Sequence, residues 1–267
     1  MRVITWNMNK ATIRRKESWE YLLELNPDLA LLQEVNSIPD FIQNEFDCLY
    51  RKAIKKNGQS QHFGTAILVK GKIIKPIQLS SEWNWVNEEL NLFSGNLVAA
   101  EIMLGNEFRA QTMSVHSPAW CIDPLRLMEV EVNEVKLKKN SKVWGTELVW
   151  AALRYAIPKS KTPWIVGGDF NSSPTFDYLW KGGPHGNQEV LDRMNALELA
   201  ECLFYSKGIL TPTFKNATDK KVIHQIDHLF VSADLISNLE FCETGNAQHI
   251  FENSLSDHLP IVADFSV

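Results

Sequence analysis

PWIVGGDFNSSP, residues 163–174, has the form of a buried strand that hands polar groups to a loop. Trp164, Ile165 and Val166 make an apolar run, Gly167 and Gly168 interrupt it, and Asp169, Phe170 and Asn171 follow before Ser172, Ser173 and Pro174 break the pattern. Without a Cβ, the two glycines let the backbone bend sharply or approach a ligand closely. Asp169 can bind a metal or take a proton, and the Asn171 amide can donate to an anionic oxygen and accept from a water. An Asx turn capping the strand is the alternative reading of the same residues.

Upstream, Arg2 to Trp6 alternates and ends at Asn7, with Met8, Asn9 and Lys10 in the loop that follows. Trp19, Leu22 and Leu23 recur at helical spacing before Pro27, and LALLQEV then predicts a second strand ending at Gln33 and Glu34. Strand, helix, strand is a crossover unit, so Asn7 and Glu34 are expected at one ligand-binding edge of a sheet. A short helix is expected over 38–45, a strand over Asp47–Arg51 and an exposed loop over Ala53–Gln61. HFGTAILVKGKIIKPIQL predicts a hairpin turning at Lys70–Lys72, and Glu82–Phe93, with Trp83 and Trp85, a loop near the site rim. Leu97–Leu104 and Phe108–Val115 predict another strand pair, running into His116.

Helices are expected over Asp123–Val135, Glu147–Ile157 and Glu189–Cys202, with a basic linker KLKKNSKVWG at 136–145 and an irregular loop at 182–187. HQIDHLFVS and LPIVADFSV supply the last strands, the second preceded by SLSDH. Neither a repeat nor a linker interrupts the pattern, so residues 1–267 are expected to form a single catalytic domain.

The chain is 45% hydrophobic and 22% charged, an ordinary globular composition, and its formal charge of −5 argues against a nonspecific duplex binder held by a basic surface. The opening MRVITWNMNK enters a strand pattern without a signal-like apolar stretch, and no segment has the length of a membrane span. Cys48, Cys121, Cys202 and Cys242 are scattered, with no metal-ligand spacing, so buried thiols and a cytoplasmic location are expected.

The predicted strand ends carry Asn7, Glu34, His116, Asp169 with Asn171, Asp227 with His228, and Asp257 with His258. Carboxylates, amides and imidazoles in this mixture suit Mg²⁺ or Mn²⁺ better than Zn²⁺, which favours clustered thiolates or His pairs at helical spacing.

TWNMN at 5–9, LLQEV at 31–35, SVHSP at 114–118, GGDFN at 167–171, IDHLFVS at 226–232 and SDHLPI at 256–261 follow one another in an order that resembles the endonuclease/exonuclease/phosphatase superfamily, with its deoxyribonuclease I-like fold. The resemblance implies an α/β protein with two mixed, largely antiparallel sheets packed as a sandwich and helices on the outer faces. It also implies a Mg²⁺-dependent phosphoesterase, with Mn²⁺ as a possible substitute, acting on phosphodiester bonds of nucleic acid or nucleotides. Glu34 then matches the principal metal ligand, Asn7 a nearby metal-shell or phosphate-contacting amide, and Asp257 a further carboxylate near the metal. Asp169 and Asn171 match the pair that positions and deprotonates water, His258 the phosphate-contacting histidine, and Asp227 the carboxylate that orients it. His116 stands where some nucleases have a second histidine, and an alternative scheme makes the two histidines acid and base. Asn9 replaces an aspartate that several nucleases use for metal and is expected, with Trp120, on the substrate side. A phosphatase or phosphodiesterase of inositol or lipid phosphoesters, and a non-catalytic binding relative, are the competing expectations; protein partners are not specified.

Overall fold

The computed structural model describes residues 1–55, 58–179 and 185–267. Its first sheet contains β1 (Arg2–Ala11), β2 (Leu29–Val35), β3 (Asp47–Ile54) and β4 (Ser60–Val69). The second contains β5 (Gly71–Ile77), β6 (Leu97–Leu104), β7 (Arg109–His116), β8 (Trp164–Asp169) and β9 (Leu199–Glu201). After a small ribbon of β10 (Phe214–Lys215) and β11 (Val222–His224), β12 (Asp227–Ser232) joins the second sheet, and β13 (Leu239–Thr244) and β14 (Ile261–Phe265) complete the first. The strand orders are β13-β14-β1-β2-β4-β3 and β5-β6-β7-β8-β12-β9. Only β1–β2 and β7–β8 pair in parallel within these sheets; the other neighbours are antiparallel.

Alternation along the strands explains why the sheets stack. Val3, Leu29, Leu31 and Ile67 of the first sheet pack with Val98, Ile102, Ile165 and Leu229 of the second in one buried cluster. Their neighbours Ile4, Trp6, Ala30 and Leu32 point to the other face, where Trp19 and Leu22 of helix Lys16–Glu24 cover them. On the far side, Met113, Val115 and Val166 meet Leu148, Val149 and Ala152 of helix Gly145–Ala156. The expected sandwich with helices outside is the fold observed. No helix among the described residues is long and apolar enough to cross a membrane.

Several local expectations fail for tertiary reasons. β4 and β5 form no hairpin: β4 pairs with β2 and β3, and β5 with β6, so the chain crosses between sheets at Lys70. Both runs and the turn are encoded locally, but β4 is central and buried, whereas β5 is an edge strand with exposed Lys72, Lys75 and Pro76. The loop expected at Glu82–Phe93 contains helix Asn84–Leu92, whose buried side includes Trp85, Val86, Glu89 and Leu90. Glu89 hides the stripe because a carboxylate counts as solvated until its partner is known; here Arg126 clamps it with two contacts of 2.7 Å. The helix expected over Asp123–Val135 is a 3-10 turn, Pro124–Leu127, followed by irregular chain, and that expected over Glu189–Cys202 divides into helix Asn187–Asn195 and β9. β1 continues beyond Asn7 to Ala11 after a register shift against β2, and β3 reaches Ile54 inside the expected exposed loop. The irregular loop at 182–187 lies partly outside the described residues. All four cysteines are free, but only Cys202 and Cys242 are fully buried.

Candidate active site

The two parallel pairs aim their C-terminal ends at one another across the sandwich. Asn7 and Glu34 lie where the first pair loses its register before it resumes at Ala11 and Val35; His116 and Asp169, register partners, end the second. Asp227 enters from the antiparallel side, opposite Asp169 on β12, and His258 lies three residues before the start of β14, which pairs with β1. The Trp6 indole donates to the His258 carbonyl at 3.0 Å, and Ser256 Oγ accepts from His258 N at 3.0 Å while donating to the Asn7 carbonyl at 2.7 Å. These bonds fasten the SDH segment to the end of β1.

Asn7 is the hub. Its Nδ2 donates to Asp169 Oδ2 at 3.0 Å and reaches Glu34 Oε1 at 3.5 Å, while its Oδ1 accepts the backbone N–H of Asn9 at 3.0 Å. One buried amide thus holds two carboxylates from different sheets close together. Asn171 adds a backbone N–H to Asp169 Oδ1 at 2.8 Å, and its Nδ2 donates to Asp169 Oδ2 at 3.1 Å and to the Ser117 carbonyl at 2.8 Å. His258 Nδ1 lies 2.9 and 3.1 Å from the two Asp227 oxygens, which makes it a donor and turns Nε2 toward Asp169 Oδ2, 3.9 Å away. Asp227 is in turn fixed by its backbone N–H, which donates to Thr213 Oγ1 at 3.1 Å.

His116 is oriented by Asn96, a residue without any local sequence signal. Asn96 Nδ2 donates to the His116 carbonyl at 3.2 Å, which identifies it as the amide nitrogen, and the same atom lies 3.5 Å from His116 Nδ1. An amide nitrogen can only donate, so Nδ1 accepts and the single proton of a neutral ring sits on Nε2, 3.6 Å from Glu34 Oε1.

Some of the backbone strain lies here. Asn9, Lys10, Glu34 and Asn171 all have φ between 46° and 59°, in the left-handed region that costs non-glycine residues of order 1–3 kcal/mol. The β1 irregularity that contains Asn9 and Lys10 brings Lys10 Nζ to 3.9 Å from Glu34 Oε2. The glycines of GGDFN have a structural use: a Cβ on Gly168, at φ 151°, would overlap the Val115 carbonyl oxygen, and one on Gly167 would press on Thr5, Leu229 and Leu31 between the sheets. They permit β8 to pair closely with β7 and pack against the first sheet, a reason nearer at hand than contact with a phosphate.

Burial and charge polarise the two histidines oppositely. Burial pulls His116 down to about 3, and the charges of His258 and Lys10 act in the same direction. For His258 burial also opposes charge, but the Asp227 carboxylate, through its charge and hydrogen bond, together with Asp169 and Asp257, carries it up to about 10. Burial raises Asp169 above the ordinary carboxylate range against the pull of His258.

Asp169, Asp227 and His258 bring three potential ligand atoms within 4.8 Å of one another. His258 Nδ1 is already bound by Asp227, and on the Glu34 side the hard oxygen donors of Glu34 and Asp169 share one amide donor, a second set that could hold a divalent cation. A cleft of about 460 Å³ opens on this set and is also lined by Asp257, Lys10 and Trp120. Trp120 is 56% exposed at its rim. Asn9 shapes the site through its backbone rather than as a cleft-lining residue. His228 faces the scaffold, with Nε2 3.1 Å from the Ser172 carbonyl and its ring edge-on to Phe170. Trp83 stacks on Trp150, and Trp85 is buried, so that pair is packing.

The fold has close counterparts among solved structures. The 3′ phosphatase NExo from Neisseria bound to product DNA hairpin superposes with a TM-score of 0.69 at 18% identity, covering 100% of both chains. An AP endonuclease from Archaeoglobus fulgidus gives 0.72 at 17%, and an endonuclease/exonuclease/phosphatase family protein from Leptotrichia buccalis gives 0.65 at 13%, each again covering 100% of both chains. At such identities these likenesses speak for the fold. No curated protein matches the chain in sequence. The sequence profile of the endonuclease/exonuclease/phosphatase family, however, matches residues 4–258, from the first strand to the histidine that Asp227 orients, and the chain belongs to that family.

Proposed function

We propose that the protein is a divalent-metal-dependent phosphodiesterase that hydrolyses phosphodiester bonds of nucleic acid or nucleotides, with Mg²⁺ as its ion. The carrying observation is the Asn7 hub, which presents Glu34 and Asp169 together at a cleft flanked by one histidine held by a carboxylate and one held by an amide donor. The hard oxygen donors around that amide fit Mg²⁺ or Mn²⁺. Glu34 would hold the ion, with Asp257 lining the same cleft, and the ion would supply charge neutralisation and polarisation at a phosphoryl oxygen. The chain's own groups supply the rest.

Asp169 takes the proton of the attacking water. Asn171 commits its amide hydrogens to Ser117 and Asp169, so its amide oxygen is the group it offers that water. His258, backed by Asp227, donates from Nε2 to a non-bridging oxygen of the phosphate. His116, with Nδ1 accepting from Asn96, presents an Nε2–H to the leaving oxygen. This division of labour accords with the geometry better than a symmetrical pair of histidines, because their partners are of opposite kinds: a carboxylate for one, an amide donor for the other. Proton transfers of this sort contribute about 10²- to 10⁴-fold.

The likeness to a 3′ phosphatase in complex with DNA and to an AP endonuclease supports the nucleic-acid side of the proposal. A panel of single- and double-stranded DNA, RNA, bis-p-nitrophenyl phosphate and inositol phosphates, assayed with Mg²⁺ or Mn²⁺ and with EDTA, tests it, with Asp169→Asn as control. Cleavage of nucleic acid that EDTA and Asp169→Asn both abolish is the expected result. Turnover of inositol phosphates alone would overturn the substrate assignment, and EDTA-resistant turnover the mechanism.

A further inference from the structure

The proposed chemistry occupies only one flank of the cleft. Phe63 stands edge-on to His116, with ring centroids 5.6 Å apart, and Lys10 Nζ lies 5.9 Å from the same ring. On the other flank Phe214 adjoins His258 at 4.8 Å. The same cleft also has an apolar lobe of lining side chains, Ile54, Leu92, Phe93, Trp120 and Ile122. Nothing in the hydrolytic machinery uses these side chains.

Three features define what the lobe would take. At about 460 Å³ the whole cleft falls within the ~300–1,000 Å³ range of small-ligand pockets, which suits one nucleotide. Its walls are apolar, with Phe93 and Trp120 aromatic, and the Gln61 amide lines the same cleft. A flat heteroaromatic ring with a hydrogen-bonding edge satisfies both, whereas an acyl chain would desolvate that amide without pairing it. Of the cations that line the cleft, Arg126 is bound by both oxygens of Glu89, Lys10 lies 3.9 Å from Glu34, and Lys55 is the third; the chain carries a net charge of −5. No row of unneutralised cations is needed to track a backbone if binding comes from stacking on the base face.

We propose that this lobe is a base pocket for one unpaired nucleotide next to the scissile phosphate, closed at its rim by Trp120. The proposal rests on the phosphodiesterase reading above and narrows its substrate to a strand in which that base is free: a single strand, a frayed end or a nucleotide.

The test pairs a single-stranded oligodeoxynucleotide with the same strand carrying a tetrahydrofuran residue in place of its terminal nucleoside, and with a blunt duplex. Wild-type kcat/KM should favour the base-bearing single strand over both. Stacking on one aromatic side chain corresponds to about 5- to 150-fold. Trp120→Ala should therefore lose that factor on the base-bearing strand beyond any loss on the tetrahydrofuran strand, and Trp120→Phe should restore most of it. Equal losses on the two strands, or a duplex cut as fast as the single strand, would overturn the base pocket. A binding arm separates this from the chemistry: Asp169→Asn protein titrated with dAMP and with deoxyribose 5-phosphate should prefer dAMP. That preference without hydrolysis of any strand would leave the pocket standing and remove the phosphodiesterase; hydrolysis without the preference would do the reverse.

Discussion

Glu147 is a buried carboxylate outside the proposed catalytic set, and its removal should change how stability depends on pH. It lies in the first turn of helix Gly145–Ala156, 1% exposed; Oε2 accepts from Thr146 Oγ1 at 2.8 Å and Oε1 has no partner. Burial pushes its pKa up to about 7, against hydrogen bonds from Thr146 and nearby backbone that favour the charged form. The ordinary value is about 4.3 in an unfolded chain. Between these two values the native state keeps a proton that the unfolded state has released, so stability falls as pH rises through the window and levels off above about 7. At 1.36 kcal/mol per unit, the loss is about 3 kcal/mol. Glu147→Gln removes the titration. Its unpaired amide adds a constant cost of about 1–3 kcal/mol, but a constant does not alter the slope. Urea unfolding of both proteins at intervals from pH 4.5 to 8 should show the wild type losing about 3 kcal/mol more than the variant across the window. Parallel stability curves would refute the assignment of a proton to Glu147 in the folded state.

Three further outcomes follow from the geometry. His258→Gln, which keeps an amide donor for Asp227, should lower kcat by about 10²- to 10⁴-fold while the protein still unfolds cooperatively; near-wild-type turnover would remove His258 from the mechanism. Asn96→Asp exchanges a donor for an acceptor beside His116 Nδ1, so long-range ¹⁵N–¹H NMR should show the ring proton moving from Nε2 to Nδ1 and activity falling at least about tenfold; an unchanged tautomer would contradict the Asn96 role. Gly168→Ala should cost more than about 3 kcal/mol in urea unfolding, because the new Cβ meets the Val115 carbonyl within the parallel ladder; a cost under about 1 kcal/mol would mean that β7 and β8 separate easily there.

Much of the site was legible because polar residues at the ends of apolar runs are a local signal. Glu34 after LALLQ, Asp169 after WIVGG and Asp227 after HQI are each visible in a few residues, as is the alternation that stacks Val3 on one face of β1 and Ile4 on the other. Asn96 was not legible, because an amide that sets a tautomer looks like any polar loop residue until the ring it serves is placed. Glu89 was not legible either: its burial depends on Arg126, 37 residues away.

The sequence by itself determined the chemical inventory, most of the strands and, through the ordered motifs, the family, since these depend on residue type and short-range periodicity. Tertiary structure alone decided that β4 and β5 part to different sheets, that Asn7 ties Glu34 to Asp169, and that one histidine faces a carboxylate while the other faces an amide. The physical reason is that strand pairing, desolvation and proton placement are set by the groups that lie opposite, and those arrive from distant parts of the chain.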